Sequence, residues 1–261
     1  MARAFKVIGG ILLLLTAAAL PIAPALARKV AVEEVSLERV QAMMTAGQAT
    51  SVEVTRAYLD RIAAMDRKGP TLRSVIAVNP DALAQAKALD AERRAGRIRG
   101  PLHGVPVLIK DNIETADAMA TTAGSLALKD NVTRRDAPVV AALRRAGAVI
   151  LGKTNLSEWA NIRSTHAMSG WSAVGGLVRN PYALDRTACG SSSGSGAAVA
   201  ASFAAAAVGT EPDGSGSARR RSTGSSGLSR RSGWSAAPMS CRSAIRRIRR
   251  GRWRAACATW R

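Results

Sequence analysis

A chain of 261 residues with 47% hydrophobic and 21% charged residues has enough apolar material for a good-sized core, which excludes a peptide hormone or a disulfide-stapled miniprotein. A formal net charge of +20 invites a nucleic-acid reading, but aromatics are only 3%, few for a base-stacking surface. The charge is also uneven: residues 216–261 hold thirteen Arg and no acid, while residues 1–215 hold 25 Lys and Arg against all 18 Asp and Glu.

The chain opens with Arg3 and Lys6, an apolar run over residues 7–20, Pro21 and Pro24, then Ala25-Leu26-Ala27 before Arg28. A short basic region, an apolar stretch and a small-x-small site are the parts of a secretory signal peptide, here residues 1–27 with cleavage expected after Ala27. The expectation is a periplasmic or secreted protein with no stable membrane span after cleavage, because the apolar run is shorter than the ~20 residues a spanning helix needs. Ahead of the basic segment the sequence has one cysteine, Cys189, which cannot build an internal disulfide framework.

Leu37, Val40 and Met44 recur at helical spacing and predict a helix over residues 36–47. Thr50 and Glu53 form a capping box ahead of a second helix through Tyr58, Leu59 and Ile62. Residues 74–78 read as a short strand, and Asn79-Pro80-Asp81 starts a helix ending near Gly96. The compact apolar run 105–109 suits a buried strand. Asp136 is expected to cap a helix through Val139, Val140 and Leu143, which Gly147 stops before a strand over 148–151. Residues 190–196 form a Gly/Ser loop that opens an Ala-rich helix. Strands alternating with helices argue for an α/β layered domain.

Three stretches carry chemistry. The first, Gly104-Val105-Pro106-Val107-Leu108-Ile109-Lys110-Asp111-Asn112, ends a buried strand with a lysine. Desolvation there lowers a lysine's pKa toward the neutral, proton-accepting form, although a lone strand-end lysine more often snorkels, keeping its ammonium in water. The second, Cys189-Gly190-Ser191-Ser192-Ser193-Gly194-Ser195-Gly196, offers hydroxyls and free backbone N–H groups before a helix. A flexible linker or a phosphate-binding nest would use the same letters. The third, Gly209-Thr210-Glu211-Pro212-Asp213-Gly214-Ser215, is turn-rich and could present a hydroxyl beside backbone donors. His103 and His166 are the only histidines, so a Ser–His–Asp triad has little material, and without a Cys/His cluster neither metal nor cofactor is expected.

Together, in this order and spacing, these stretches resemble the amidase signature family. The resemblance runs from about Val35 to Ser215 and includes Thr121-Thr122-Ala123-Gly124-Ser125, Gly152-Lys153-Thr154-Asn155-Leu156-Ser157-Glu158 and Arg179-Asn180-Pro181-Tyr182. It implies α/β/α layers around a mixed sheet, of which the chain holds the N-terminal half, and hydrolysis of a small-molecule amide by a Ser–Ser–Lys triad. By position Lys110 matches the general base, Ser191 the bridging serine with its cis peptide bond, and Ser215 the nucleophile. The backbone of the turn Pro212, Asp213, Gly214 and Ser215 would face the oxyanion with its N–H groups. The sequence departs from the family here, since Pro212 has no N–H where the family usually carries Thr or another donor.

After Ser215 the resemblance stops. Residues 216–261 contain mainly Arg, Ser, Gly and Ala, with neither hydrophobic period. Reading that segment two bases later permits, with synonymous codons, a sequence that closely resembles the family's continuation. The expected organisation is therefore a signal peptide over 1–27, the N-terminal portion of an amidase domain over 28–215, and a disordered basic frame-shift product over 216–261. Losing the strands beyond the nucleophile leaves this chain expected to be inactive and poorly folded. Two rivals carry different functions: a non-catalytic basic envelope-surface binder resting on the arginines, and an ammonia-releasing amidotransferase-type subunit, against which the signal peptide argues. No specific nucleic-acid partner is expected.

Overall fold

The computed structural model describes residues 30–162 and 164–210. In chain order its principal elements are α1 (Leu37–Thr45), α2 (Ser51–Met65), β1 (Val75–Val78), α3 (Ala82–Arg94), β2 (Pro106–Lys110), α4 (Pro138–Arg145), β3 (Val149–Thr154), β4 (Trp171–Ser172), β5 (Gly176–Leu177), β6 (Arg179–Asn180), β7 (Ala183–Thr187), α5 (Ser193–Ala200) and β8 (Ala206–Val208).

The first helices form as their sequences dictate. Ser36 caps α1 by accepting from the Arg39 N–H at 3.2 Å, and Leu37, Val40 and Met44 are its buried face. At α2 the capping box is complete: the Thr50 N–H donates to Glu53 Oε2 at 2.7 Å, and the Glu53 N–H donates to Thr50 Oγ1 at 3.1 Å. A second carboxylate serves the same helix end, since Asp90 of α3 accepts from the Ser51 and Val52 N–H groups at 2.7 and 3.0 Å. An anion at the positive end of α2 both satisfies orphan donors and pins α3 to it.

The principal sheet has the order β1-β3-β2-β8. β1 runs antiparallel to β3, while β2 runs parallel to both β3 and β8, so the sheet is mixed, as expected. β2 and β3 are buried at every residue, the pattern of strands covered on both faces. Leu108, Ile109, Ile150 and Leu151 join Tyr58 of α2 and Phe203 after α5 in one continuous apolar core. Fully burying a side chain of this size contributes about 1.5–3 kcal/mol. The short pairs β4–β5 and β6–β7 stand apart from this sheet.

Three expectations need correcting. Asp136 does not cap α4: Ala137 is the N-cap, Pro138 opens the helix, and the Asp136 carboxylate instead accepts from the Ala116 N–H at 2.7 Å and from Arg144 Nε at 2.8 Å. Proline at the first helical position removes one of the orphan N–H donors of the helix start and presets the first helical φ, while the Asp136 carboxylate is held by other partners. β3 continues past Leu151 to Thr154, because Lys153 is accommodated inside. The Gly/Ser segment is already helical from Ser193.

Candidate active site

Three parallel strands end together, and their carboxyl ends present Lys110 from β2, Thr154 from β3 with Asn155 next to it, and Thr210 just after β8. This is the end of a parallel sheet where ligands are characteristically bound. The first turn of α5 closes over it. The Gly194 N–H donates to the Asn155 carbonyl at 3.0 Å, and a Cβ at Gly194 would lie 2.3 Å from that oxygen. Only glycine permits so close a backbone approach. Hydroxyls stitch the remaining gap: Ser195 Oγ donates to the Val208 carbonyl at 3.0 Å and lies 2.7 Å from Thr154 Oγ1, and Ser192 Oγ donates to the Thr210 carbonyl at 3.0 Å.

Lys110 is completely buried. Its Nζ donates to Ser191 Oγ at 3.1 Å and to Thr210 Oγ1 at 2.7 Å, and Asn112 Nδ2 donates to the same threonine oxygen at 3.2 Å. Ser191, also buried, sits on the turn into α5, where Cys189 and Gly190 adopt φ of +57° and +71°. Its carbonyl accepts from the Ser157 N–H at 3.1 Å, and Ser157 Oγ donates to the Gly190 carbonyl at 3.2 Å. The snorkelling alternative for Lys110 is thereby excluded.

Of the expected triad, the structure brings Lys110 and Ser191 into hydrogen-bond contact. Ser215 and the oxyanion positions Pro212, Asp213 and Gly214 lie outside the described residues, as do the signal peptide and the basic segment. The cis peptide bond expected at Ser191 is not found: no peptide bond among the described residues is cis, and the positive φ angles at Cys189 and Gly190 make the turn instead.

Sequence reasoning gave no role to Thr210, Asn112, Asp111 or Lys153. The last two are buried beside the site. Burial pushes the Asp111 carboxyl up to about 6, against the opposing pull of the Thr122 hydroxyl and the Lys153 charge. Burial lowers Lys153 to about 8, opposed chiefly by Asp111. The available signal was a lysine within each of two apolar strand segments, 105–110 and 148–154. Next in the chain to Ser157 opens a cavity of about 390 Å³ lined by Glu158, Asn161, His166, Met168 and Trp171.

Residues 53–220 match the Amidase family model, and the chain belongs to the amidase family. It is 60% identical to the peptide amidase of Stenotrophomonas maltophilia, superposing with a TM-score of 0.68 over 70% of this chain and 37% of that one. An amidase-family protein of Schizosaccharomyces pombe is 45% identical over 188 residues, 72% of this chain and 32% of its own length. A glutamyl-tRNA(Gln) amidotransferase subunit of Acidothermus cellulolyticus is 44% identical over 175 residues, 67% of this chain and 33% of that one. The chain thus spans about a third of the length of the curated relatives it matches.

Proposed function

We propose that this chain derives from an exported serine amidase that hydrolyses a carboxylic amide to an acid and an amine or ammonia, a peptide amide being the favoured substrate class. The carrying observation is the buried hydrogen bond between Lys110 Nζ and Ser191 Oγ. The 60% identity to a peptide amidase favours a peptide amide over the substrate of the amidotransferase relatives.

In the proposed reaction a neutral Lys110 accepts the Ser191 proton as Ser191 accepts that of Ser215. Ser215 Oγ then adds to the amide carbon. Asp213, Gly214 and Ser215 have backbone N–H groups for the oxyanion, whereas Pro212 has none. Lys110 returns the proton through Ser191 to the leaving nitrogen as the C–N bond breaks. Water, deprotonated by the same route, attacks the acyl ester, releases the acid and restores Ser215. No step requires a metal or cofactor.

Residues 28–215 are the N-terminal portion of the amidase domain in this proposal, and residues 216–261 a frame-shift product. A frame-restored, full-length chain should release ammonia from a peptide amide, and Ser215→Ala should abolish the release. Retained turnover in that variant would refute the assignment. The 261-residue chain is expected to be inactive. Export predicts that protein from the envelope fraction begins at Arg28; mass spectrometry finding residues 1–27 still attached would contradict it.

A further inference from the structure

We infer that Asp111 and Lys153 are positioning residues, a buried pair of opposite charge that clamps the loop of residues 121–124 and through it holds Ser191 on Lys110. The inference rests on the amidase reading for its kinetic test. Its structural basis is a closed path of hydrogen bonds joined by short stretches of chain.

Asp111 follows Lys110 directly, and its N–H donates to the Thr154 carbonyl at 3.1 Å, locking the ends of β2 and β3 together. Its Oδ2 accepts from the Thr122 hydroxyl in a very short contact and from the Thr122 N–H at 3.2 Å. Its carbonyl accepts from the Ala123 N–H at 3.2 Å. Thr122 Oγ1 in turn accepts from the Gly124 N–H at 2.9 Å. Lys153 grips the preceding residue: its Nζ donates to Thr121 Oγ1 at 2.8 Å and to the Ile113 carbonyl at 2.5 Å.

The clamped loop then reaches the serine. The Ala123 carbonyl accepts from the Trp159 N–H at 2.9 Å, the Gly124 carbonyl accepts from the Val174 N–H at 3.1 Å, and the Ser157 N–H donates to the Ser191 carbonyl at 3.1 Å. Ala123 sits at φ +50°, a conformation an L-residue holds only when its surroundings over-determine it. The ring from Lys110 through Asp111, Ala123, Trp159 and Ser157 to Ser191 closes on the Lys110–Ser191 hydrogen bond.

The two charges attract each other through the interior without a direct ion-pair contact, an expensive way to add stability. Both groups are fully buried, and Asp111 Oδ1 has no hydrogen-bond partner. Replacing a buried pair with apolar or neutral groups is often neutral or stabilising, whereas removing one partner strands the other. Activity and stability should therefore separate when both charges are removed.

The test uses the frame-restored, full-length enzyme on a peptide amide, with Lys110→Ala and Ser215→Ala as inactive controls. Asp111→Asn, Lys153→Met and Thr122→Val should each lower kcat by ~10–100-fold with KM changed less than about threefold, the effect of a reacting group displaced rather than removed. Thr122→Ser, which keeps the hydroxyl, should retain most of kcat. The double variant Asp111→Asn/Lys153→Met should melt within a few degrees of the parent yet remain slow. Hydrogen exchange in that double variant should accelerate at the amides of Thr122, Ala123, Ser157 and Trp159. Parental kcat in the double variant, or unchanged exchange at those amides, would overturn the clamp even if a single variant fails to fold. Turnover persisting in the two controls would instead refute the amidase reading.

Discussion

The helical side of the molecule and the carboxyl end of its sheet are built by different physics. In α1, α2 and α3 local rules go most of the way: apolar residues recur at helical spacing, Ser36 and the Thr50–Glu53 box cap the first two helices, and no charged side chain except Asp90 is buried. At the ends of β2, β3 and β8 the interior is polar, with Lys110, Asp111, Lys153, Thr154, Ser191, Ser192 and Ser195 all buried. Each such group costs free energy unless it is hydrogen-bonded, so this region must be specified by contacts between distant segments. The helical side can therefore lose a contact and keep its shape, whereas the sheet end loses its geometry when one member is removed.

The largest contrast should come from the proposed reacting groups. In the frame-restored enzyme Lys110→Ala and Ser215→Ala should each reduce kcat by ~10⁴-fold or more, and Ser191→Ala by ~10²–10³-fold. In the proposed mechanism the three act as one proton-transfer unit, so Lys110→Ala/Ser215→Ala should cost little beyond the worse single change. Steady-state kinetics on folded variants checks this, and additive losses would break the unit into independent parts.

Next in size is Gly194→Ala. The added methyl meets the Asn155 carbonyl at 2.3 Å, so α5 must shift off β3, at a cost of about 3 kcal/mol and a loss of most activity. Chemical denaturation with parallel kinetics measures both. An unperturbed Gly194→Ala protein would show that the turn into α5 is looser than its contacts imply.

The pH dependence of stability sharpens the comparison further. The Asp111 carboxyl binds its proton more tightly in the folded chain, near 6, than at its ordinary 3.8, so this group's contribution is greatest at low pH and falls as pH rises from 3.8 through about 6. Lys153, lowered from 10.5 to about 8, binds its proton less tightly when folded, so its contribution rises from about pH 8 toward 10.5. The Asp111→Asn/Lys153→Met variant should show a flatter stability profile in both windows when melted across pH. An identical profile would remove the burial cost assigned to the pair.

The smallest effect belongs to the helical side. Thr50→Ala breaks the capping box and should cost about 1 kcal/mol, with kcat unchanged. Thermal melting and kinetics of that variant together define the baseline against which the sheet-end variants are judged.

What could be read in the sequence follows the same division. The helices over 37–45 and 51–65 and the strand over 75–78 were legible because periodicity and capping are local signals. Asp90 at the start of α2 was not, since its partners Ser51 and Val52 lie 39 and 38 residues away. Lys110 and Ser191 were singled out by the order of the motifs, as a separation of 81 residues hides their contact from any local rule. Thr210 stood inside a motif without a role, because only the pairing of β8 with β2 brings its hydroxyl to Lys110. Lys153 stood inside one too, but its meaning depends on a register in which it sits opposite Ile109, one residue before Lys110.

The most direct test is covalent. A sulfonyl fluoride directed at activated serines, applied to the frame-restored enzyme and located by peptide mass spectrometry, should label Ser215 alone. Labelling should slow by orders of magnitude in Lys110→Ala and substantially in Ser191→Ala. Labelling of Ser215 at the parental rate in Lys110→Ala, or a label carried by another serine, would contradict a proton route from Ser215 through Ser191 to Lys110.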